Sequence, residues 1–396
     1  MDIVIISQYL RNIENFEDNN SRFVYLAKML AENNNVEIIT SDFNHSAKKH
    51  FGNAGELQGV KITALHEPGY PKNICLKRFY SHKRLAKNIG AYLGNRAVPD
   101  VIYCAIPSLD VALEAAKYAK KKNVTFALDI QDLWPEAFKM VFNIPVISDM
   151  IFYPMERKAD RIYGEADILV SVSDTYLSRA LSVNKKCRAS ASVFLGTELS
   201  CFDTFRQNYR CEKTEDAFYI GYVGTLSHSY NISAVIDAIA ILNDRGEDKY
   251  KFIVMGDGGL RQQFEDRAKE KGINAEFTGK LNYPEMVGLL CICDICVNPI
   301  KSGSAGSVIN KVGDYAASGL PVINTQESYE YRELLEKYDA GINCDNNDIE
   351  GIADAIEKLC RDKALRDRMG AGNRAFAEER FDRKITYKKI CELITE

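Results

Sequence analysis

The chain of 396 residues lacks long hydrophobic runs, and no stretch approaches the roughly 20 apolar residues that a helix needs to cross a bilayer. The first ten residues, MDIVIISQYL, hold an acid and only a short apolar run, which predicts a strand and not a signal peptide. An excess of basic residues is also missing, since the net charge is −4. This balance argues against a nucleic-acid-binding protein, and we expect a cytoplasmic one.

A complete set of zinc ligands is also missing around the cysteine cluster of the sequence. Eleven cysteines without a secretory context predict a reduced protein. Cys291, Cys293 and Cys296 form a CxCxxC cluster, but no second group of cysteines or histidines lies nearby to complete a four-ligand zinc site. The cluster falls where a predicted helix gives way to a buried strand, and free cysteine packs there as a small hydrophobic residue. We predict no metal site and no cofactor.

Acidic residues are absent between Glu67 and Asp100, so this interval predicts a basic surface that carries aromatic side chains. Such a surface suits anionic lipid headgroups or a polyphosphate. An ordinary solvated loop and helix face explains the same composition equally well, and both interpretations stay open. The basic residues are Lys72, Lys77, Arg78, His82, Lys83, Arg84, Lys87 and Arg96, interleaved with Tyr70, Phe79 and Tyr80.

The length of the chain predicts two domains, because one hydrophobic core rarely serves so many residues. Short apolar runs alternate with helical stretches, which predicts an α/β fold with parallel sheets covered on both faces. The pattern restarts after the polar segment Asp203–Asp216. We predict Rossmann-like doubly wound domains over 1–205 and 206–380, and a helix over 381–396 that packs back on the first. The expected ligand site is a cleft at the carboxyl ends of the strands.

The stretch Ser302–Val322, with the sequence SGSAGSVINKVGDYAASGLPV, has the composition of a ligand-binding loop and helix. It follows the apolar run Ile292–Pro299, which has the length of a buried strand. Small residues then allow backbone N–H groups to approach a ligand closely. Ser307 is the predicted N-cap of a helix over Val308–Ser318, and Gly319 occupies the left-handed position that ends it.

Lys311 is the unusual residue of this stretch, because it lies in or near the first turn of the predicted helix. A cation there opposes the helix dipole by roughly 0.3–1 kcal/mol. A bound anion would remove the conflict, since the N–H groups and the lysine would then both face negative charge. Lys311 pointing into water is the alternative, so phosphate binding stays a hypothesis at this point.

Several motifs in order resemble the family 4 glycosyltransferases, which have the two-domain GT-B architecture. In the second half these are GYVGTLSHSYNISAVIDAI, IVMGDGGLRQQFE, FTGKLNYPEM, DICVNP and NKVGDYAASGLPV. In the first half, DIQDLWPEAF is similar to an Asp-Leu-Trp-Pro-Glu motif of a subgroup that makes bacterial capsule and O-antigen units. The resemblance covers most of the chain and implies transfer of a sugar from a nucleotide donor, usually with retention of configuration.

The resemblance implies a donor site around the diphosphate, whose negative charge grows as the glycosidic bond breaks. Many members carry an arginine and a lysine after the first strand of the second domain, but here Gly224 is followed by Thr225 and Tyr230. Lys311 is therefore the candidate cation, as in a subgroup with a lysine before the helix. The backbone N–H groups expected to assist are those of Gly224, Thr225, Ser304, Ala305, Gly306 and Ser307.

The family also carries two glutamates with seven residues between them, one for the donor sugar and one for the ribose. The second position matches Asp314, and the first falls at Gly306, so that carboxylate is missing. Asp314 is a candidate for the ribose, with an exposed helix carboxylate as the alternative. The resemblance places Lys280 and Leu281 where the family's backbone meets the base.

Candidates on the acceptor side come from the first domain. The loop at 17–22 stands where the family has a glycine-rich loop, and we expect Asn20 to tolerate unusual backbone angles and Arg22 to meet phosphate. Asp132, just past the predicted strand Phe126–Ile130, is the candidate base for the attacking hydroxyl. Capping of the following helix is the alternative for this carboxylate.

Two neighbours of Asp132 complete the acceptor-side candidates. Glu136 is a rival for the role of base, and Trp134 either holds the turn or stacks on a sugar. We assign no nucleophile, because retaining enzymes of this kind often lack an evident one.

The function implied by the resemblance is a retaining glycosyltransferase that uses a nucleotide-sugar, with UDP favoured over GDP. The expected acceptor is a glycan or a polyprenyl-diphosphate-linked glycan at the inner face of the cell membrane. A non-catalytic GT-B protein that holds a nucleotide is the first alternative, because Gly306 replaces the usual glutamate. A sugar-nucleotide epimerase of the same architecture fits the motifs less well.

Overall fold

The structure, a computed structural model, divides the chain into two compact units. One unit comprises Met1–Val193 and Tyr387–Glu396, and the other comprises Phe194–Thr386. The division falls between Val193 and Phe194, before α7 (Leu199–Asn208). The boundary predicted after residue 205 lies inside this helix. The described residues are 1–10, 12–16, 21–141, 144, 147–214, 216–246, 249–304 and 307–396.

The first unit is built on a seven-stranded parallel sheet with the strand order β5-β2-β1-β6-β7-β8-β9. A short antiparallel hairpin, β3 with β4, stands beside it. The strands are β1 (Asp2–Ile6), β2 (Asn35–Ser41), β3 (Phe43–Asn44), β4 (Lys49–His50), β5 (Val60–Leu65), β6 (Val101–Ile106), β7 (Thr125–Ile130), β8 (Ile168–Ser171) and β9 (Ala189–Ser192).

Helices cover both faces of this sheet, because its central strands are apolar on both sides and form two separate clusters of buried side chains. One cluster includes Tyr387, Ile390 and Ile394 from the end of the chain. The helices are α1 (Arg22–Ala31), α2 (Leu76–Asn95), α3 (Leu109–Lys122), α4 (Glu136–Val141), α5 (Ile147–Glu165) and α6 (Asp174–Val183). Among the described residues, none of the helices is both long enough and apolar enough to cross a membrane.

The second unit repeats the architecture with a six-stranded parallel sheet in the order β12-β11-β10-β13-β14-β15. The strands are β10 (Phe218–Val223), β11 (Tyr250–Met255), β12 (Ala275–Gly279), β13 (Ile295–Asn298), β14 (Val322–Asn324) and β15 (Gly341–Asn343). Two buried clusters again lie on its two faces. The predicted α/β fold with two Rossmann-like units is therefore confirmed.

The helices of the second unit follow its strands in alternation and end in two consecutive helices and a π-helical turn, Ala377–Phe381. The last helix of the chain begins in this unit and ends among residues of the first. After α7 the helices are α8 (Ile232–Asp244), α9 (Arg261–Glu270), α10 (Tyr283–Leu290), α11 (Lys311–Ser318), α12 (Tyr329–Lys337), α13 (Ile349–Arg361), α14 (Lys363–Phe376) and α15 (Arg383–Thr395).

The helix of the ligand-binding stretch, α11, begins at Lys311 and not at Val308 as predicted. Its N-cap is Asn310, because Ser307 is buried and its hydroxyl contacts the carbonyl of Val308 instead. The end of the helix agrees with the prediction, since Gly319 adopts the left-handed conformation with φ 69°. Lys311 therefore opens the first turn.

The cysteine cluster packs into the second unit's core. Cys293 and Cys296 are buried among apolar residues, and burial raises the pKa of both thiols. These side chains contribute to packing as small hydrophobic groups.

Arg22 forms a buried ion pair in the first unit, which contradicts its predicted role as a phosphate ligand. Its Nε donates to Asp129 Oδ2 at 2.7 Å and its Nη1 donates to the carbonyl of Val193 at 2.9 Å. Asp129 also accepts hydrogen bonds from Tyr103 and Gln131. The guanidinium is thus fixed between β7 and the end of β9, because a buried charge requires an opposite charge and hydrogen bonds. The neighbouring candidate, Asn20, lies outside the described residues.

Replacing Asp129 with alanine should lower the free energy of unfolding by about 3–5 kcal/mol, because it leaves the Arg22 charge buried without its partner. Urea unfolding followed by circular dichroism measures this change. Lys120→Ala is the control, since Lys120 is 69% exposed in its pair with Glu165 and should cost about 0–1 kcal/mol. Equal stability of the Asp129 variant and the control would contradict the importance of the pair.

Candidate functional site

The end of β10 and the start of α11 lie against each other in the second unit. The hydroxyl of Tyr315 in α11 accepts a hydrogen bond from the Val223 N–H at 2.9 Å. Gly224 has φ 144°, and a Cβ placed there would come within 2.9 Å of Lys311 Nζ. Glycine is required because the lysine head occupies the space of a side chain. The sheet edge and the helix terminus thus form one site around Lys311.

The ammonium group of Lys311 is buried between two tyrosine rings. Its Nζ lies 4.0 Å from the ring centroid of Tyr222 and 3.9 Å from that of Tyr230. Among the described residues it has no hydrogen-bond partner. Burial lowers the pKa of this group well below its usual value of 10.5. The rings offer a cation–π contact but no counter-charge, so the site has an unmet preference for an anion.

The backbone groups predicted to assist are only partly available. The N–H of Gly224 donates to the carbonyl of Met255 at 3.0 Å, and the N–H of Ser304 donates to the carbonyl of Lys301 at 3.0 Å. These two N–H groups are therefore engaged within the protein, contrary to the prediction. Thr225 is exposed, whereas Ala305 and Gly306 lie outside the described residues.

Ser307 is held at the base of the loop. It is buried, and its carbonyl accepts a hydrogen bond from Gln326 Nε2 at 2.6 Å. A direct contact of its N–H with phosphate stays a prediction.

Asp314 lies in the first turn of α11, three positions after Lys311. Its Oδ1 accepts hydrogen bonds from the Tyr283 hydroxyl at 2.8 Å and the Thr197 hydroxyl at 3.0 Å. Burial raises the pKa of this carboxyl group, while these hydrogen bonds act in the opposite direction. Asp314 is half-buried and hydrogen-bonded within the protein, so it is not a freely exposed helix carboxylate. Contact with a ribose stays a prediction.

Lys280 and Leu281 follow β12, just before the capping box that starts α10 at Asn282 and Glu285. Lys280 is exposed, and Leu281 packs partly against the core. A role of their backbone in binding a base stays a prediction.

Asp132 follows β7 in the first unit, at the carboxyl end of the sheet. Its Oδ1 accepts a hydrogen bond from the N–H of Leu133 at 2.9 Å. This bond does not cap α4, because Leu133 lies before the helix begins at Glu136. Burial raises the pKa of Asp132, although contacts with Trp134 and Tyr176 oppose the rise. A carboxylate with a raised pKa is a better general base near neutral pH than an exposed one.

Glu136 is less suited to act as a base, because its charge is neutralised. Its Oε1 pairs with Arg179 Nε at 2.7 Å, and the same guanidinium pairs with Asp160 at 2.7 Å. The Oε1 of Glu136 is therefore occupied by a guanidinium within the protein. Asp132 is therefore the stronger candidate of the two.

Trp134 packs inside the first unit, and its ring is 6% exposed. The ring of His82 stacks on it with a centroid distance of 6.1 Å, and the guanidinium of Arg78 lies 4.8 Å from its centroid. Because it is buried against these groups, Trp134 holds the turn and is not available to stack on a sugar.

A polar cluster that the sequence did not predict lies after β1. The hydroxyl of Tyr9 lies 3.1 Å from His82 Nε2 and accepts a hydrogen bond from Arg78 Nη2 at 3.1 Å. Burial lowers the pKa of His82 to about 3, so the ring is neutral and Arg78 carries the charge. Arg78 and His82 belong to the basic interval that the sequence shows. The structure of α2 was needed to tell that these two side chains face the protein while other basic residues of the interval are exposed.

Comparison with known proteins finds a family model that matches most of the second unit. Residues 205–376 match the family model described as glycosyl transferases group 1. The second unit carries a glycosyl transferases group 1 domain. The match contains β10, α11 and Lys311, so the buried lysine belongs to the domain itself.

Curated relatives are local matches. The GalNAc-alpha-(1->4)-GalNAc-alpha-(1->3)-diNAcBac-PP-undecaprenol alpha-1,4-N-acetyl-D-galactosaminyltransferase of Campylobacter jejuni is 36% identical over 76 residues, which is 18% of this chain and 21% of that protein. The GDP-mannose-dependent monoacylated alpha-(1-6)-phosphatidylinositol monomannoside mannosyltransferase of Corynebacterium glutamicum is 22% identical over 148 residues, 36% and 38% of the two chains. The chain thus spans less than two fifths of either relative.

Similarity in structure extends over the whole chain. Alr3699/HepE of Anabaena, solved in complex with UDP, has a TM-score of 0.70, with 100% of both chains covered and 14% identity. At this identity the likeness concerns the fold, which is the GT-B architecture of two Rossmann-like parallel sheets. The predicted fold class is therefore confirmed.

Replacing Lys311 with methionine should stabilise the ligand-free protein, by about 1–3 kcal/mol, because it removes a buried polar group that has no partner. The gain should shrink as the pH rises toward 10.5, the usual lysine pKa. Over that range the unfolded chain binds a proton that the folded site binds poorly, so the wild type gains stability with pH and the variant does not.

Urea unfolding at pH 7 and pH 9.5 measures both effects. Lys271→Met, at an exposed position after α9, is the matched control and should change stability little at either pH. A loss of stability in the Lys311 variant at pH 7 would show that the ammonium has a partner in the free protein.

Proposed function

We propose that this protein is a retaining glycosyltransferase that transfers a sugar from a nucleotide-sugar to a glycan or a lipid-linked glycan. The buried Lys311 ammonium is the observation that carries the proposal. It stands at the carboxyl edge of a Rossmann-like sheet and has no counter-charge among the described residues. A donor diphosphate would supply that charge. The presence of this lysine in a glycosyl transferases group 1 domain supports the same assignment.

In the proposed reaction, the oxygen of an acceptor hydroxyl forms a bond to the anomeric carbon of the donor sugar. The bond from that carbon to the diphosphate oxygen breaks, and its electron pair stays on the diphosphate. Lys311 stabilises this growing charge more in the transition state than in the ground state. Asp132 takes the proton of the hydroxyl, and the raised pKa of its carboxyl group suits it to that task.

UDP is the proposed nucleotide of the donor, and a lipid-linked intermediate of surface polysaccharide synthesis is the proposed acceptor. The first rests on the family resemblance and on the UDP bound to the Anabaena protein of the same fold. The second is supported by the undecaprenol-linked substrate in the name of the Campylobacter relative and by the DLWPE motif. The mannosyltransferase relative names GDP-mannose, so GDP donors belong in the same screen.

Nucleotide binding is measured first, by the melting shift of the protein with UDP and GDP. A ligand that binds the folded state raises its apparent stability. The wild type should respond to UDP, the Lys311→Met variant should lose at least about tenfold in affinity, and Lys271→Met should respond as the wild type does. Full UDP affinity in the Lys311 variant would overturn the phosphate assignment.

Asp132→Asn should lower the rate of sugar transfer by about 100- to 10,000-fold, because amide nitrogen and oxygen cannot take the proton of the attacking hydroxyl. UDP release from a donor panel, with polyprenyl-diphosphate-linked acceptors present, measures the rate. The NMR coupling constant of the product's anomeric proton reports its configuration. Asp149→Asn changes an exposed carboxylate in the same unit and is the control.

Three outcomes of this assay are distinct. An inverted product would overturn the retaining mechanism, and unchanged transfer by the Asp132 variant would overturn the role of this carboxylate. UDP binding by the wild type without any transfer across the panel would favour a non-catalytic nucleotide-binding protein.

Peripheral binding to the inner membrane surface is the final element of the proposal. The start of α2 and the turn before it expose the apolar side chains of Ile74, Leu76 and Tyr80 at 61%, 86% and 60%. Exposed basic residues surround them, and an apolar and basic surface of this kind suits anionic lipids. These residues are Lys72, Lys77, Lys83, Arg84 and Lys87.

Reversing the charges of Lys77, Lys83 and Arg84 to glutamate should lower binding to phosphatidylglycerol vesicles by at least about tenfold, because each basic residue near the surface contributes roughly 1 kcal/mol. Sedimentation with these vesicles and with neutral phosphatidylcholine vesicles measures it. The same triple reversal of Lys120, Lys121 and Lys122, exposed at the end of α3, is the control. Absence of wild-type binding to both vesicles would overturn the membrane proposal but not sugar transfer.

A further inference from the structure

Three side chains from separate segments of the first unit point at one another on its surface. Asp42 Oδ2 lies 2.9 Å from His66 Nδ1, and Asp42 Oδ1 lies 3.3 Å from His50 Nδ1. The ligand atoms of the three residues all lie within 4.8 Å of one another. The two imidazole rings stack with a centroid distance of 5.4 Å and an interplanar angle of 15°. Their nitrogens therefore face the same carboxylate.

The fold brings these residues together through strand pairing. Ser41 in β2 and Leu65 in β5 are paired in register, so Asp42 and His66 follow the two strands side by side. The hairpin of β3 and β4 then pairs Phe43 with His50, which returns the second imidazole toward Asp42. Strand pairing of the backbone therefore brings the three side chains together.

Backbone hydrogen bonds fix the carboxylate before any ligand arrives. The N–H of Glu67 donates to Asp42 Oδ1 at 2.8 Å. The N–H of Asp42 donates to the carbonyl of Leu65, and its carbonyl accepts from the N–H of Phe51. Outer hydrogen bonds of this kind orient the carboxylate ligands of metal sites.

We propose that Asp42, His50 and His66 form a binding site for a divalent transition-metal ion of the zinc class. Zinc bonds of about 2.0–2.2 Å in a tetrahedron place neighbouring ligand atoms about 3.3 Å apart. The distances from His66 Nδ1 to Asp42 Oδ2, 2.9 Å, and from His50 Nδ1 to Asp42 Oδ1, 3.3 Å, are close to this spacing. One carboxylate oxygen can serve both nitrogens after a small movement of the side chains, because all three ligand atoms lie within 4.8 Å of one another. Nothing in the proposed sugar transfer requires this site, and the two proposals stand independently.

The donor set decides the class of ion. Two imidazole nitrogens and one carboxylate oxygen suit zinc, copper, nickel or cobalt, whereas magnesium and calcium prefer oxygen ligands alone. The side chains of His50 and His66 are 42% and 66% exposed, so water can complete the coordination and the ion can enter. The bound ion would link the end of β2, the hairpin and the end of β5.

Protons offer the competing explanation for the same geometry. Each Nδ1 can donate a hydrogen bond to Asp42 when it carries a proton, and no ion is then needed. The two explanations differ in what happens when zinc is added near neutral pH, because a metal displaces these protons and a simple hydrogen bond does not bind zinc.

The test is a calorimetric titration of the full chain with zinc chloride at pH 7.5, with magnesium chloride as a second titrant. Free thiols can also bind zinc, and the chain has eleven cysteines, so the measured quantity is the difference in zinc equivalents between proteins. The wild type should bind one more equivalent of zinc than His66→Gln. This variant should fold as the wild type does, because the His66 side chain is 66% exposed. His228→Gln removes an exposed histidine of the second unit and should bind as the wild type does.

A second measurement uses cobalt(II), whose visible absorption depends on its ligands. A nitrogen- and oxygen-ligated band should appear in the wild type and disappear in both His66→Gln and Asp42→Asn. Equal zinc equivalents in the wild type and His66→Gln, or a cobalt spectrum that neither substitution changes, would overturn the site and assign the bound metal to thiols elsewhere. Zinc binding that magnesium matches would overturn the assignment to the zinc class.

Discussion

A buried ammonium, for which the described part of the chain offers no counter-charge, is the feature on which the rest of the second unit's site depends. Burial of Lys311 destabilises its charged form, which the lowered pKa expresses. The surroundings preserve this condition, because Gly224 leaves room for Nζ and the rings of Tyr222 and Tyr230 exclude water while offering no carboxylate. A ligand that brings two negative charges is the simplest way to relieve the cost, so the strain of the free site and the proposed chemistry have one physical origin.

Arg22 and Lys311, two cations with buried heads, show why burial alone does not identify a site. The guanidinium of Arg22 is buried as the head of Lys311 is, but Asp129 neutralises it and the carbonyl of Val193 accepts a hydrogen bond from its Nη1. That arrangement is complete and supports the first unit's sheet. Lys311 lacks an equivalent partner within the part of the chain that the structure describes. An incomplete set of contacts, and not the presence of a charge, separates a ligand site from a structural one.

Much of the fold and part of the site could be predicted from the sequence. The alternation of strands and helices and the GLPV end of α11 are local signals, and Gly319 adopts the expected conformation. Long-range pairing could not be predicted. Tyr230 was interpreted only as the loss of a basic residue, whereas its ring encloses Lys311. Arg22 was expected to face a ligand, because its partner Asp129 lies 107 positions away and the sequence does not show that the two side chains meet. Asp42, His50 and His66 likewise come together only through strand register.

Environment also separates the two carboxylates that the sequence could not rank. Asp132 and Glu136 lie four positions apart, and either could serve as a base by residue type. Oε1 of Glu136 is paired with the guanidinium of Arg179 at 2.7 Å. Asp132 receives a backbone N–H and is enclosed without an arginine of its own among its described contacts, so its affinity for a proton rises. A base must take up a proton as the acceptor hydroxyl attacks. Asp132, whose pKa is raised by burial, is therefore the carboxylate suited to the reaction.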